Sequence, residues 1–241
     1  MTCSVMYGVI GDGRLAKHLI HYFSLKKIPF KTWSRKKDKL DLKERLSSCD
    51  ILLFAVKDNV IEELIKRQNF SAKVCVHFSG SLTTQCAQGF HPLASFGDKL
   101  FDLNFYERIA FVVEKGQYSF SQIFPSLKNP NFSISSSEKS FYHSMCVLSG
   151  NFTAILWHKV FTEMKDKLGL PGQVLVPYME SVFSQIKSDH KRALTGPLIR
   201  KDRQTVANNI LALKGDPFEV VYRSFVEAYE KSKELYDHEC T

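Results

Sequence analysis

The sequence predicts an α/β unit followed by an all-α unit, divided at residues 1–136 and 137–241. Three observations predict it. Between Val5 and Ile134, short apolar runs alternate with helical patterns, the order expected of a parallel sheet covered by helices. From Glu138 to Leu168 there is no proline and a single glycine, Gly150, and apolar residues recur at spacings of three and four. Between the first strand pattern and the first helix pattern stands Gly11-x-Gly13-x-x-Ala16.

Val5 to Ile10 reads as the first strand. Gly11 permits a tight turn, Gly13 lets the backbone approach a pyrophosphate, and Ala16 is small enough for the helix to pack close to the strand. The helix N-terminus offers free N–H groups to phosphate oxygens. This is the dinucleotide fingerprint in the context it requires, so Gly11, Asp12, Gly13, Arg14 and Leu15 are expected at a pyrophosphate. An ordinary strand–helix turn is the competing reading. Leu15, Leu19, Ile20 and Phe23 then recur at helical spacing, Pro29 breaks the pattern, and Phe30 to Trp33 reads as the second strand. An NAD-binding unit places an acidic residue just past this strand to hold the ribose 2′-hydroxyl. Here stand Ser34-Arg35-Lys36-Lys37. Ser34 and Arg35 suit a 2′-phosphate, which predicts NADP (NADPH) rather than NAD; a solvated basic loop is the alternative.

Leu40, Leu42 and Leu46 suggest a short helix. Ile51 to Val56 is a buried-strand pattern ending in Lys57-Asp58-Asn59 before another helix. Ligands of open parallel sheets lie beyond the carboxyl ends of the strands. Ala55, Val56, Lys57 and Asp58 are therefore expected along the cofactor, although Asp58 serves equally well as a helix N-cap. Val74 to Phe78 is the next strand, and it ends at the same edge in Ser79-Gly80-Ser81; Ser79 and Gly80 are expected near the nicotinamide, or as a helix start. Pro92 biases His91 towards an extended backbone after a short strand, where an imidazole could give or take a proton; a structural histidine is the plainer reading. A strand over 109–113, a short helix over 118–127 and a strand over 131–134 complete this half.

The run from Glu138 to Leu168 predicts a helix of about 31 residues, ~46 Å long. Phe141, Met145, Leu148, Phe152, Ile155, Leu156 and Val160 stripe it, and a stripe of that length predicts a homodimer through the helical unit. Further helices are expected over 174–187 and 204–214, with a loop around Gly196-Pro197 between them. Asp216-Pro217-Phe218-Glu219 carries the signature of a last helix start.

Composition narrows the function classes. The chain has 241 residues and a formal net charge of +8, but acidic residues are interleaved and no nucleic-acid motif occurs, so no nucleic-acid partner is expected. No apolar run reaches the length of a membrane span and no signal-peptide pattern is present, so neither a membrane nor export is expected. Cys3, Cys49, Cys75, Cys86, Cys146 and Cys240 show no metal spacing; they predict reduced thiols in a cytoplasmic protein and no metal.

Certain words of the sequence resemble a known family. GDGRLA (11–16) resembles the fingerprint of deazaflavin-linked NADP reductases. FHPLASF (90–96), SFYHSMCVLSGNF (140–152) and LTGPLIRKD (194–202) resemble signature segments of one subgroup of the 6-phosphogluconate dehydrogenase-like superfamily. Its members are Rossmann-like oxidoreductases with a C-terminal helical domain of unknown function. The resemblance implies a Rossmann NAD(P)-binding domain followed by a helical domain. It places His91, Tyr142, His143, Asn151, Thr195, Gly196, Pro197 and Arg200 at or near a cleft between the two. Asn151 resembles the substrate-contacting asparagine of hydroxyacid dehydrogenases, but their lysine four residues earlier is Val147 here. His143 precedes Asn151 by eight residues, about two α-helical turns with an offset of roughly 80°. The histidine-proline word at 91–92 resembles one in prephenate dehydrogenases, where the histidine meets substrate.

These readings predict an NADP-dependent oxidoreductase. His91 or His143 would move a proton. Asn151, Tyr142, Thr195 and Arg200 would orient a small polar substrate, with Arg200 suited to a carboxylate or phosphate on it. A non-catalytic NADP-binding sensor is the alternative.

Overall fold

The computed structural model describes residues 5–70 and 72–232, and Cys3 and Cys240 lie outside them. Seven strands form one sheet: β1 (Tyr7–Ile10), β2 (Phe30–Trp33), β3 (Ile51–Phe54), β4 (Val74–His77), β5 (Gln88–Pro92), β6 (Phe111–Glu114) and β7 (Asn131–Ile134). Their order across the sheet is β2-β1-β3-β4-β5-β6-β7. Helices α1 (Arg14–Leu25), α2 (Leu42–Arg45), α3 (Asp58–Gln68), α4 (Leu103–Arg108) and α5 (Phe120–Ile123) connect them. The architecture is Rossmann-like, as the sequence predicts.

Alternate residues of the strands feed two hydrophobic clusters, because successive side chains of a strand point to opposite faces. Val9, Leu53, Val76 and Phe90 belong to one; Ile10, Leu52, Phe54 and Cys75 belong to the other. The apolar runs are continuous because both faces are covered.

Four expectations about this half need correction. β5 and β6 pair antiparallel, so the sheet reverses direction after the first five strands. His91 lies within β5, opposite Val112, rather than after the strand. The serines at 79–81 start no helix; the link from β4 to β5 is irregular throughout. The short helix expected over 118–127 is confined to α5, where Ser119 and Gln122 form a capping box.

The helical part begins with a 3₁₀ turn (Ser136–Glu138) and α6 (Lys139–Cys146). Six residues, Val147–Phe152, form a π-helical segment before α7 (Thr153–Leu168). The run of about 31 helical residues is therefore present, but it is not uniformly α. α8 (Gly172–Ser188), α9 (Arg203–Ala212) and α10 (Phe218–Lys231) follow. Asp216 accepts a hydrogen bond from the Phe218 N–H at 2.8 Å and an ion pair from Lys159, which seats the start of α10.

The chain divides into two compact units, one up to Ile155 and one from Leu156 onward. That division falls inside α7, whereas the sequence places a boundary at 136/137. The reason is that Lys139, Tyr142 and His143 on α6 bond to or pack on groups of the sheet.

Candidate functional site

A cavity of about 810 Å³ opens at the carboxyl ends of β1, β2 and β3. Gly11, Asp12, Gly13, Arg14 and Leu15 line it at the start of α1. Ser34 and Arg35 line it past β2, and Ala55, Val56 and Lys57 past β3. Lys36 of the basic run lines it too, whereas the sequence reading missed Trp33 and a face of α3 formed by Asn59, Val60, Glu63, Leu64 and Arg67. The i, i+3/i+4 spacing of that face was legible, but only the fold turns it towards the cavity.

The two glycines serve different ends. Gly11 has φ +130, and a Cβ there would lie 2.3 Å from the Ala55 carbonyl oxygen. Its need for glycine comes from the close approach of the β3 end. Gly13 has an ordinary extended backbone (φ −70), and a Cβ there would meet nothing within 4 Å. It caps α1 with no side-chain hydrogen bond, so the first N–H groups of a 12-residue helix face the cavity without a side-chain partner.

At the second strand end, the Ser34 side-chain oxygen is buried and has no hydrogen-bond partner. Such an atom calls for a ligand, since a buried hydroxyl left unpaired is costly. The nearby carboxylate, Asp38, accepts from the Ser34 N–H at 2.7 Å and lies 4.0 Å from Arg45 Nε. It closes the 34–38 turn and does not line the cavity. The groups present therefore fit a dinucleotide carrying a 2′-phosphate: free helix N–H groups, an orphaned hydroxyl, and the Arg35 and Lys36 side chains.

Asp58, Ser79 and Gly80 do not line this cavity. Asp58 is the first residue of α3, and the N-cap is Lys57. Ser79 Oγ donates to Asp58 Oδ2 at 2.5 Å and accepts from the N–H groups of Ser81 and Leu82, so its hydroxyl ties the 79–82 loop to α3. Gly80 has the role of a gap. A Cβ there would lie 2.6 Å from His143 Nδ1 and 3.3 Å from His91 Cδ2 and Nε2.

Around that gap sits a second constellation. His91 Nδ1 is 2.6 Å from the Tyr142 hydroxyl. The His143 ring stands perpendicular to the His91 ring at 6.2 Å, and its Nδ1 is buried without a partner. Burial, then His143 and Lys139, push the His91 imidazole down to about 4, against the opposing influence of Asp58. Burial, then the neighbouring Cys146 thiol, raise the Tyr142 hydroxyl above its ordinary value. At neutral pH the tyrosine therefore holds its proton beside a neutral imidazole, and the His91 tautomer sets which of the two donates.

The other expected substrate contacts are placed each within its own unit. Asn151 is exposed in the π-helical segment, so the 80° offset from His143 computed for an α-helix does not apply. Thr195 and Arg200 are exposed residues of the second unit. There Arg200 N–H donates to the Gly196 carbonyl, and Asp202 caps α9 through Thr205.

His77, next to the site in β4, is fully buried. Its Nδ1 accepts from the Ser79 N–H at 3.2 Å. Burial, then Lys139, push it from 6.5 to about 4, against Glu114 and Asp58. His77 and His91 are thus neutral when folded and charge on unfolding below pH 6.5. Stability is expected to fall as pH drops from 6.5 towards 4, because the unfolded chain binds more protons there. For His77 the loss is on the order of 3 kcal/mol. Urea unfolding at stepped pH checks this, and His77→Gln should flatten the slope; an equally steep slope in that variant would refute it.

Among the described residues, Cys49, Cys75, Cys86 and Cys146 are free, no cluster of His, Cys, Asp and Glu suits a metal, and no helix is long and apolar enough to cross a membrane.

Comparison with known proteins agrees with this geometry. Residues 112–229 match the family model described as "Domain of unknown function (DUF2520)". The match starts in β6, so it includes the end of the sheet as well as the helices. No curated protein sequence matches the chain. A solved structure from Bacteroides fragilis, named as a "putative NADP oxidoreductase", is 20% identical, with a TM-score of 0.75 over 95% of this chain and 98% of that one. Protein TM1727 from Thermotoga maritima is 22% identical, with a TM-score of 0.70 over 98% of this chain and 100% of that one. Plasmodium falciparum pyrroline carboxylate reductase with NADP bound is 14% identical, with a TM-score of 0.59 over 97% of this chain and 100% of that one. The chain is thus a Rossmann-fold protein, similar in fold to NADP oxidoreductases and reductases, whose residues 112–229 match the DUF2520 domain.

Proposed function

We propose that this protein is an NADP-dependent oxidoreductase acting on a small polar substrate that bears a carboxylate or phosphate. The observation that carries the reading is the orphaned Ser34 hydroxyl beside Arg35 and Lys36, in the same cavity as the uncapped start of α1. Bound NADP(H) supplies hydride chemistry, and the protein supplies orientation and electrostatics. The N–H groups at the start of α1 would hold the pyrophosphate, and Ser34 and Arg35 the 2′-phosphate. Tyr142 and His91 hold a proton between oxygen and nitrogen at 2.6 Å, and His143 closes the space over Gly80. Asn151, Thr195 and Arg200 are proposed as substrate contacts, Arg200 through its affinity for oxyanions. A cytoplasmic setting and a homodimer belong to the same proposal. Similarity to a pyrroline carboxylate reductase makes pyrroline carboxylate the first substrate to try.

Arg35→Ala tests the cofactor. NADPH affinity should fall by about 10- to 100-fold, the range for losing a charge-assisted hydrogen bond. NADH affinity should change little. Equal loss for both nucleotides in fluorescence titrations would refute the 2′-phosphate assignment.

Val147 favours a second reading, a nucleotide-binding sensor without turnover. It stands at the position of the hydroxyacid dehydrogenase lysine and opens the π-helical segment. Tight NADPH binding with no oxidation of it across keto acids, imines and aldehydes would select that reading.

A further inference from the structure

Beneath the first turn of α6 lies a buried polar cluster that the proposed chemistry does not use. Lys139 is 3% exposed, Glu114 6% and His77 0%. Lys139 Nζ donates to Glu114 Oε2 at 2.7 Å and also to the Leu82 carbonyl. Ser136 Oγ donates to the other Glu114 oxygen at 2.7 Å. Burial pushes the Glu114 carboxyl up, but Lys139 and Ser136 outweigh it and hold it below its usual range.

The ammonium reaches this place because residue 89 has no side chain. A Cβ on Gly89 would lie 2.7 Å from Lys139 Nζ, 3.0 Å from Glu114 Oε2 and 3.1 Å from His77 Cε1. His77 and Gly89 are register partners in neighbouring strands, so the gap opens in the sheet itself. A buried ion pair is a poor device for stability, since apolar side chains of the same volume serve as well or better. Its strength is intolerance of misplacement: a helix shifted by one residue would strand both charges unpaired. One turn further along α6, at i+3 and i+4 from Lys139, come Tyr142 and His143, the residues that meet His91 and Gly80.

We propose that the Lys139–Glu114 pair, admitted through the gap at Gly89, is the positioning device of the candidate site: it sets the register of α6 on the sheet so that the Tyr142 hydroxyl meets His91 Nδ1. The inference rests on reading His91 and Tyr142 as the proton-handling pair. Lys139 and Glu114 are positioning residues. The groups around His91 are Tyr142, His143 and Lys139 from α6, Asp58 from α3 and His77 from β4.

The test is ¹⁵N-histidine NMR of the full chain across pH, in the wild type, Lys139→Met and Gly89→Ala, with thermal unfolding and NADPH binding measured in parallel. In the wild type, His91 should stay neutral down to about 4, with Nδ1 showing the shift of a ring nitrogen hydrogen-bonded to the Tyr142 hydroxyl. In both variants that signature should be lost, and the titration should move up by about half a unit or more. Lys139→Met removes the charge, whereas Gly89→Ala keeps it and displaces it; a change common to both reports position. If either variant fails to fold, Lys139→Met combined with Glu114→Leu replaces the pair by apolar side chains and should show the same change at His91. Folded variants that lose only thermal stability, with the His91 spectrum unchanged, would overturn the proposal. NADPH affinity should stay within about twofold, because Lys139 does not line the cofactor cavity. Failure of the wild type to bind NADPH would sink the cofactor reading and leave the His91 test standing.

Discussion

Gly11→Ala is expected to abolish NADPH binding and to lower the unfolding free energy by about 2–6 kcal/mol. Two costs add. At φ +130 an L side chain is strained, by about 1–3 kcal/mol. The new Cβ would also lie 2.3 Å from the Ala55 oxygen and 3.0 Å from its carbonyl carbon, and overpacking costs a further ~1–3 kcal/mol. The backbone has no freedom to yield. Gly11 N–H donates to the Trp33 carbonyl at 2.9 Å, Ala55 N–H donates to the Ile10 carbonyl at 2.9 Å, and β1 is in register with both neighbours. Denaturant unfolding and NADPH fluorescence measure the two effects. Gly13→Ala is the contrast: its Cβ would meet no protein atom, so stability should stay within ~0.5 kcal/mol. Any loss of affinity there reports the approach of the nucleotide. A Gly11→Ala variant that binds NADPH normally would remove the start of α1 from the cofactor site.

The apolar stripe of the helical run leads to the second large effect. Phe141 is 70% exposed, Met145 41%, Leu148 51%, Phe152 47% and Ile155 52%. These five exposed apolar side chains lie along one helical run, and apolar surface of this extent is satisfied by burial against a second copy. A dimer at micromolar concentration is expected by light scattering. Phe141→Glu with Phe152→Glu should weaken it by at least about 100-fold, since burial of each such side chain contributes about 1.5–3 kcal/mol and each copy loses two. The isolated wild-type chain remaining a monomer at micromolar concentration would refute this assembly.

Much of this was legible in the residues themselves. Gly11-x-Gly13-x-x-Ala16 between a strand and a helix pattern located the cavity, and Ser34-Arg35 marked its second wall. Local chemistry sufficed there, because a turn, a helix start and a strand end are each decided by a few consecutive residues. The Asp216-Pro217-Phe218-Glu219 word placed α10 for the same reason. The reversal of β6 was not legible. Strand direction depends on which neighbour completes the pairing, and an apolar run such as Phe111–Val113 reads the same either way. The π-helical segment was hidden too, since its spacing is compatible with an α stripe.

By itself, then, the sequence determined that this protein is a Rossmann-type chain with a helical second part, and that the loops after β1, β2 and β3 share one edge of the sheet. Local propensities and the alternation of apolar runs are short-range and add up along the chain. Only the tertiary structure decided what those loops do. It spent the Ser79 hydroxyl on Asp58, took Asp38 for a turn, left the Ser34 hydroxyl unpaired, and joined His91 to Tyr142 across 51 positions of chain. Lys139 carries no motif, yet it fills the gap of a glycine fifty residues before it. Such roles arise from burial and from partners brought together by folding, and no local pattern records either.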